Sequence, residues 1–159
     1  MMLPIRPLRP DDCQQLVAVY HEAVISQAGN LYSPSQIEAW SQQASRNDDF
    51  RSSLRRGHGL VSCANDDDTI IEAFALLDPS DRLALLYCRG RSSRQGRASA
   101  LLGALEQHAR SQGVGRLRTE ASQLSRPLLE RRGWVVDGEE TVLLGGVSFL
   151  RWRMGKDLP

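Results

Sequence analysis

The segment at 89–98, with the sequence RGRSSRQGRA, has the residue types of a phosphate-binding loop. It lies between a predicted strand and a predicted helix. The first amides of a helix have no intrahelical partner, and the helix dipole places about half a positive charge there. Gly96 would let the backbone approach a pyrophosphate without a Cβ in the way, and small Ala98 would let the helix lie close. Arg94 and Arg97 would add mobile positive charge. For this segment alone, a surface loop that merely contains glycine is the alternative interpretation.

The residues with metal-binding side chains predict no metal site. The three histidines lack ligand spacing, and the three cysteines are odd in number, far apart and without a Cys-x-x-Cys pair. These residues are His21, His58, His108, Cys13, Cys63 and Cys88. We therefore expect no metal cofactor, and a reduced, cytoplasmic protein with buried thiols.

Composition excludes several classes of protein. The chain has 159 residues, the length of one globular domain, which we place at 1–159. Its 20 basic and 19 acidic residues give a net charge of +1, whereas a nucleic-acid-binding protein needs a broad basic surface. No apolar run approaches the roughly 18 residues of a membrane span, and the first residues contain no apolar signal segment. We expect neither a nucleic-acid partner nor a membrane partner.

Hydrophobic periodicity places the loop within an α+β domain that has a mixed sheet. Apolar residues on one helical face predict a helix at 13–24, and Ser33, Pro34 and Gln36 predict the capped start of a second helix. Three strands on short turns then predict an antiparallel meander. After the loop, the order is helix, strand, short helix and a hairpin turned at Gly145-Gly146.

The strand before the loop alternates, with Leu83, Leu85 and Tyr87 predicted on one side and Leu86 on the other. The predicted strands are 3–9, 60–64, 69–77, 82–88, 117–121, 134–144 and 147–154. The predicted helices are 13–24, 34–40, 50–54, 98–113 and 124–132.

The spacing around the loop resembles the acetyl-CoA-binding motif of the GNAT N-acetyltransferase superfamily. That motif is Gln/Arg-x-x-Gly-x-Gly/Ala, preceded by a strand and a Val-His-Pro. Its last three positions match Gly96, Arg97 and Ala98. Ser93 stands at the opening Gln/Arg position, and Cys88-Arg89-Gly90 replaces Val-His-Pro. These departures concern one side-chain contact and leave the backbone amides in place.

Three further segments are similar to the same family and occur in the family's order. Segment 120–134, EASQLSRPLLERRGW, resembles its run of Glu-Ala-Ser, a Pro-apolar-apolar-Glu helix and a Gly-aromatic pair. The turn at 145–146 and the residues at 153–156 fit its closing hairpin, and 32–40 resembles the opening of one bacterial branch. The resemblance covers most of the chain, is weakest at 41–81, and argues against a chance loop.

Membership would imply the family's fold and reaction. The fold is a mixed, mostly antiparallel central sheet of six to seven strands flanked by helices. The reaction moves an acetyl group from acetyl-CoA to a primary amine on a small molecule, peptide or protein. Pantetheine would lie between strands 82–88 and 117–121, with the thioester carbonyl near the amide of Leu86 or Cys88 and the diphosphate on the amides of 94–99. The implied cofactor-binding residues are Leu86, Tyr87, Cys88, Arg94, Gln95, Gly96, Arg97, Ala98, Ser99, Ser125, Leu128 and Arg131.

The resemblance leaves the acid–base residues open. Leu129 stands where many members carry a tyrosine as general acid. Ser122 or Ser125 could substitute by orienting a water, although a turn or cap role is the commoner one for serine. Glu120 ends its strand and is the leading candidate for the base, with a solvated carboxylate as the alternative. Glu72, within an otherwise apolar strand, is a second candidate, which an edge-facing charge would explain equally well.

Aromatic side chains could line the acceptor site. Tyr32 and Trp40 are the candidates, together with Glu72 and Tyr87, although each aromatic residue could be core instead. We interpret Cys88 as a small core residue, because this family transfers the acetyl group directly. A homodimer is common in the family. Two rival functions stay open, namely a non-catalytic acyl-CoA-binding or regulatory domain and an interaction module that does not bind the coenzyme.

Overall fold

A seven-stranded mixed sheet forms the centre of the molecule in the computed structural model, which describes residues 3–159. Its strands are β1 (Ile5–Pro7), β2 (His58–Ala64), β3 (Asp67–Leu77), β4 (Arg82–Cys88), β5 (Arg116–Ala121), β6 (Val135–Leu144) and β7 (Val147–Asp157). The helices are α1 (Cys13–Gln27), α2 (Pro34–Ser41), α3 (Gln43–Arg46), α4 (Asp48–Arg56), α5 (Arg97–Ser111) and α6 (Arg126–Arg131). Short 3-10 turns lie at Pro10–Asp12 and Gly90–Ser92. The predicted α+β class is confirmed.

The strand order places the phosphate-binding segment beside the middle of the sheet. The order is β1-β2-β3-β4-β5-β7-β6. Strands β4 and β5 are parallel, and the other neighbours are antiparallel. Parallel neighbours need a crossover connection, and α5 provides it. The start of α5 therefore lies close to the end of β4.

Apolar side chains cover both faces of the sheet. On one face, Leu101 and Leu105 of α5 pack against the strands, and on the other face α1 and α4 pack over Phe74. Leu16 and Tyr20 are among the buried residues of α1, on the face that the periodicity predicted. Each fully buried side chain of this size contributes about 1.5–3 kcal/mol of transfer free energy.

Helices α2 and α5 begin in different ways. Ser33 caps α2, because its hydroxyl accepts the Gln36 amide (3.2 Å) while the Gln36 side chain accepts the Ser33 amide (2.9 Å). This confirms the predicted capping box. Gly96 precedes α5 and supplies no side-chain cap. The first amides of α5 are therefore left for another acceptor.

A β-bulge in β4 changes which residues share a face. Leu76 of β3 lies opposite Leu85, whereas the next residue, Leu77, lies opposite Leu83. Ala84 is thus the extra residue of the bulge. Leu83 consequently packs in the core under α5, while Leu85 and Tyr87 pack on the α1 side. The prediction that Leu83 lies on the same side as Leu85 and Tyr87 was wrong.

The closing hairpin turns as the sequence predicted. Gly145 and Gly146 have φ angles of 55° and 78°, between the paired residues Leu144 and Val147. Positive φ at both central residues is typical of a tight hairpin turn, and glycine adopts it without steric cost.

Among the helices between residues 3 and 159, none combines the length and the apolar character that a membrane crossing requires. Over the same part of the chain, no group of three or more His, Cys, Asp and Glu side chains is placed to hold a metal ion.

Candidate active site

Strands β4 and β5 enclose a gap. They pair at Arg82 with Arg118 and at Leu83 with Thr119, and then diverge. A cavity of about 170 Å³ occupies this gap. We call it the donor cavity, and its walls come from β4, the end of β5, α1 and α6. Residues that line it include Ala23, Gln27, Leu86, Tyr87, Cys88, Ala98, Glu120, Ser122, Ser125, Leu128 and Leu129.

Backbone groups of β4 point into this gap. Arg89 donates its amide to the carbonyl of Glu72 on β3 (2.8 Å). The backbone N–H and C=O groups of successive residues in a strand point to opposite neighbouring strands. Since the Arg89 amide points to β3, the backbone groups of Cys88 and Leu86 point away from β3 and into the gap. Consistent with this, the Cys88 carbonyl accepts a hydrogen bond from the Gln27 side chain of α1 (2.5 Å). An extended ligand with amide groups could pair with this edge.

The N-terminus of α5 lies at the same end of the gap. Gly96 is left-handed, with φ 83°, and no atom lies within 4 Å of the position that its Cβ would occupy. The amides of Arg97, Ala98 and Ser99 open the helix, and Ala98 lines the donor cavity. Arg94 is exposed and is also left-handed, with φ 62°. Uncapped amides with the positive end of the helix dipole form an anion-binding position.

Two carboxylate anchors support the loop from beneath, of which Glu72 is buried and Glu22 is half-buried. Glu22 of α1 accepts the Gly90 amide (3.1 Å). Glu72 accepts a bond from the Arg91 guanidinium (2.6 Å) and another from the Ser92 hydroxyl. The hydrogen bond from Arg91 is the main reason that the pKa of Glu72 lies below its ordinary value. Glu72 therefore holds the loop and lines neither cavity, contrary to its candidate place at the acceptor site or as a base.

Arg97 is a third anchor. Its side chain is buried and donates to the Ser62 hydroxyl (2.9 Å) and to the Cys63 carbonyl (2.7 Å) of β2. It also donates to the Gln95 side chain (2.9 Å). The expectation that Arg97 adds mobile positive charge was wrong, because the guanidinium satisfies buried acceptors. Arg94 keeps its exposed position.

A second cavity opens on the side of β4 that faces α2 and α4. Its volume is about 350 Å³, and we call it the acceptor cavity. Six of its lining residues are aromatic, namely Tyr20, Tyr32, Trp40, Phe50, Tyr87 and Phe149, and Asn47, Asp49 and Arg151 are among its polar lining residues. The two cavities share the wall residues Trp40, Leu83, Ala84, Leu85, Tyr87, Glu120 and Ser122. A group that passes from one cavity to the other would cross at this shared wall.

This arrangement has known relatives. Residues 29–156 match the family model described as "Acetyltransferase (GNAT) domain". The chain belongs to the GNAT acetyltransferase family.

Similar proteins match nearly the whole chain. The uncharacterised N-acetyltransferase YafP of Escherichia coli (strain K12) is 29% identical over 154 residues, which are 96% of this chain and 94% of YafP. The solved GCN5-related N-acetyltransferase (aminotransferase, class II) from Rhodopseudomonas palustris is 25% identical, with a TM-score of 0.93 over 99% of this chain and 97% of its own. The PaiA N-acetyltransferase from Thermoplasma acidophilum, solved in complex with coenzyme A, is 18% identical, with a TM-score of 0.71 over 99% of both chains. The predicted GNAT fold is confirmed.

Glu120 lies on the shared wall of this GNAT domain, where Arg82 holds it. The Arg82 Nη2 and Nε atoms lie 2.6 Å and 3.0 Å from the Glu120 Oε1 atom. The carboxylate is thus fixed at the end of β5. Sequence reasoning missed Arg82, because a charged residue that begins a strand shows nothing of its partner in the neighbouring strand.

Ser122 and Ser125 stabilise the turn between β5 and α6. Each hydroxyl accepts the other residue's amide at 3.0 Å, and the two hydroxyl oxygens lie 3.1 Å apart. Both serines therefore have the turn role that is the commoner one for serine. Ser122 also lines both cavities, so one residue combines a turn role with a place at the junction.

Three tyrosines and Trp40 contribute hydrogen-bonding groups to the aromatic part of the acceptor cavity wall. The Tyr32 hydroxyl accepts the Gln123 amide (2.9 Å), and the Trp40 indole donates to the Tyr87 hydroxyl (3.2 Å). The Tyr20 and Tyr87 rings lie 4.3 Å apart. Burial raises the pKa of Tyr20, Tyr32 and Tyr87 above the ordinary value. Trp40 is both core and cavity wall, so the two interpretations of that residue do not exclude each other.

The remaining predicted residues divide between the donor cavity and the surface. Burial raises the pKa of the Cys88 thiol to about 11, so this thiol is protonated at neutral pH and is a poor nucleophile. Leu128 and Ser125 of α6 line the donor cavity, whereas Arg131 lies on the exposed side of α6 and lines neither cavity. Gln27 was not predicted, although a polar residue one turn after buried Ala23 was an available signal.

Proposed function

We propose that this chain transfers an acetyl group from acetyl-CoA directly to a primary amine. The observation that carries the proposal is the meeting of two cavities at the gap between β4 and β5. One cavity lies beside the uncapped start of α5, and the other has six aromatic side chains in its wall. A thioester in the donor cavity would present its carbonyl carbon to an amine in the acceptor cavity. The coenzyme A in the T. acidophilum structure supports the identity of the donor.

The coenzyme's diphosphate would lie against the start of α5. The amides of Arg97, Ala98 and Ser99 would donate to its oxygens, and exposed Arg94 would add positive charge. Hydrogen bonds to charged groups contribute about 1.5–3 kcal/mol each. Since the loop is anchored from beneath, little ordering of the backbone would be needed on binding.

Pantetheine would pair with the edge of β4. The gap-facing groups of Leu86 and Cys88 would bond its amides, and the Gln27 side chain would leave the Cys88 carbonyl to make room. The thioester carbonyl would accept the Leu86 amide. A fixed N–H donor there would stabilise the negative charge that develops on this oxygen when the amine attacks.

The acceptor nitrogen must lose a proton, because a protonated amine has no free electron pair. We assign this step to Glu120, which lies on the shared wall, and assign Ser122 to orienting the water that relays the proton. The carbon–nitrogen bond then forms and the carbon–sulfur bond breaks, with the electron pair of the latter going to sulfur.

Thiol release from acetyl-CoA over a panel of primary amines tests this function, and calorimetry with CoA tests binding separately. Turnover of at least one amine is the expected result. Binding of CoA without turnover of any amine would favour the non-catalytic acyl-CoA-binding or regulatory domain, which apolar Leu129 on the donor cavity makes reasonable. No heat with CoA would favour the interaction module.

A further inference from the structure

The reaction proposed above leaves a thiolate that needs a proton. Helix α6 contributes Leu128 and Leu129 to the donor cavity, and neither side chain can donate one. Glu120 is bound at both oxygens by Arg82 and acts as an acceptor. The Cys88 thiol lines the donor cavity but not the acceptor cavity, and it donates its proton to the Arg89 carbonyl (3.5 Å). The proton must therefore come from another group near the junction.

The Tyr32 side chain reaches the junction from the segment between α1 and α2. Its hydroxyl oxygen accepts the Gln123 amide at 2.9 Å, in the turn that joins β5 to α6. Its ring packs against Trp40 and Phe149, with centroids 5.1 Å and 6.0 Å away. The preceding turn residue, Ser122, lines both cavities. The hydroxyl is thus held beside the place where the acyl group would pass.

The hydrogen bonds of Tyr32 suit a proton donor. Because its oxygen is the acceptor of the Gln123 amide, its own proton is free to be donated. After donation, the same amide would stabilise the tyrosinate oxygen. Burial raises the pKa of Tyr32, and bonds from the turn at Ser122, Gln123 and Leu124 act in the opposite direction.

We propose that the Tyr32 hydroxyl is the general acid that protonates the departing thiolate of the coenzyme. The inference rests on the proposed acetyl transfer. When the carbon–sulfur bond breaks and its electron pair goes to sulfur, the Tyr32 proton moves to sulfur. The proton that the amine released passes through water and restores the hydroxyl. Proton and charge therefore balance over one turnover, without a further co-reactant.

Tyr32→Phe tests the proposal, because it keeps the ring and its packing and removes the hydroxyl. We expect kcat to fall roughly 100-fold, the lower end of general acid–base contributions, with the KM for acetyl-CoA within about twofold of wild type. Ser33→Ala is the control, since it removes the neighbouring hydroxyl, which accepts the Gln36 amide at the start of α2 (3.2 Å) and lines neither cavity. That variant should lose some stability and keep most of its kcat. A loss of kcat in Ser33→Ala as large as that in Tyr32→Phe would overturn the assignment, because displacement of this segment would then explain both.

A difluorinated tyrosine at position 32 separates catalysis from positioning. Fluorination lowers the hydroxyl pKa, so the alkaline limb of the kcat profile should move to lower pH. If Tyr32→Phe loses kcat but the fluorinated variant keeps the alkaline limb of its kcat profile at the wild-type pH, Tyr32 only supports the turn at Gln123. If the wild type is active and Tyr32→Phe keeps more than half of its kcat, the role of Tyr32 is refuted and the proposed acetyl transfer is not. A wild type that releases no thiol with any amine would refute the proposed function, and this inference with it.

Discussion

Gly96 and Gly113 lie at opposite ends of α5 and share the same backbone state. Their φ angles are 83° and 80°, and neither has an atom within 4 Å of its Cβ position. A substituted side chain therefore meets the same left-handed strain at both positions and no steric clash at either. The two glycines are about 25 Å apart along the helix, at about 1.5 Å per residue. Gly113 is thus a matched control for Gly96.

Gly96→Trp should weaken coenzyme binding beyond its effect on folding. Left-handed strain costs about 1–2 kcal/mol per residue, so both variants should lose roughly 2–8 °C of Tm. Only the indole at position 96 would stand in front of the amides that open α5. Loss of one or two charge-assisted bonds there costs about 2–4 kcal/mol, or roughly 30- to 1000-fold in Kd.

Calorimetry with CoA and thermal unfolding of both variants measure these quantities. Gly113→Trp should bind CoA like wild type at temperatures where it is folded. Acetyl-pantetheine has no diphosphate, so Gly96→Trp should use it as a donor as well as wild type does. Wild-type CoA affinity in Gly96→Trp, or an equal loss of affinity in Gly113→Trp, would refute the phosphate-binding role of α5.

Substitutions of Glu120, Arg97 and Glu72 test the proposed base and the two buried anchors of the loop. Glu120→Gln keeps the size of the side chain and removes its charge. We expect kcat to fall roughly 100-fold, chiefly at acid to neutral pH. An unaltered pH–rate profile would eliminate Glu120 as the base. Arg97→Met leaves the Ser62 hydroxyl and the Cys63 carbonyl without their donor, so the free energy of unfolding in urea should fall by about 2–4 kcal/mol. Arg94 is exposed, so Arg94→Met is the control and should change this free energy by less than about 0.5 kcal/mol. The folded-state pKa of Glu72 lies below 4.5, so its stabilisation is present above that pH and is lost as the pH falls through the folded-state value. Glu72→Gln should therefore destabilise the protein at neutral pH and differ less from wild type at about pH 3, and an equal difference at both pH values would contradict this account.

Elements whose ends depend on a few adjacent residues were predicted from the sequence. The Ser33 cap with Gln36 and the turn at Gly145-Gly146 are both in this group. In each case the deciding interaction is local, since it joins residues within a few positions of one another. Such signals are complete within a short stretch of sequence.

The bulge at Ala84 could not be predicted in the same way. It depends on how β4 pairs with Leu76 and Leu77 of β3, and alternation within one strand does not contain that information. The consequence is large, because the bulge decides which residues of β4 face each cavity. The predicted face of Leu83 was wrong for this reason.

The arginines of the loop are a second case in which the sequence does not show which partner a residue has. Arg94 and Arg97 are three positions apart and look equivalent in the sequence, yet one is exposed and the other binds β2 from within the protein. The partners of Arg97 are the Ser62 hydroxyl and the Cys63 carbonyl, which precede Arg97 by more than 30 positions. A cluster of arginines therefore predicts an anion site, but the sequence does not show that one of its members, Arg97, lies inside the protein.

The donor and acceptor halves of the site differ in how freely they can change. Arg94 and Gln95, which precede α5, are exposed, so these positions of the donor half can be varied without opening the core. The aromatic walls of the acceptor cavity, such as Trp40 and Phe149, are also core residues, so substitution there alters packing and acceptor choice together. Asp49 is an exposed member of the same wall, whereas Asn47, which is also exposed, caps α4 by accepting the Asp49 amide (2.9 Å). Substitution of Asp49 should therefore change acceptor preference, measured as kcat/KM over the amine panel, with little loss of stability. Substitution of Trp40 should change acceptor preference and also lower the free energy of unfolding.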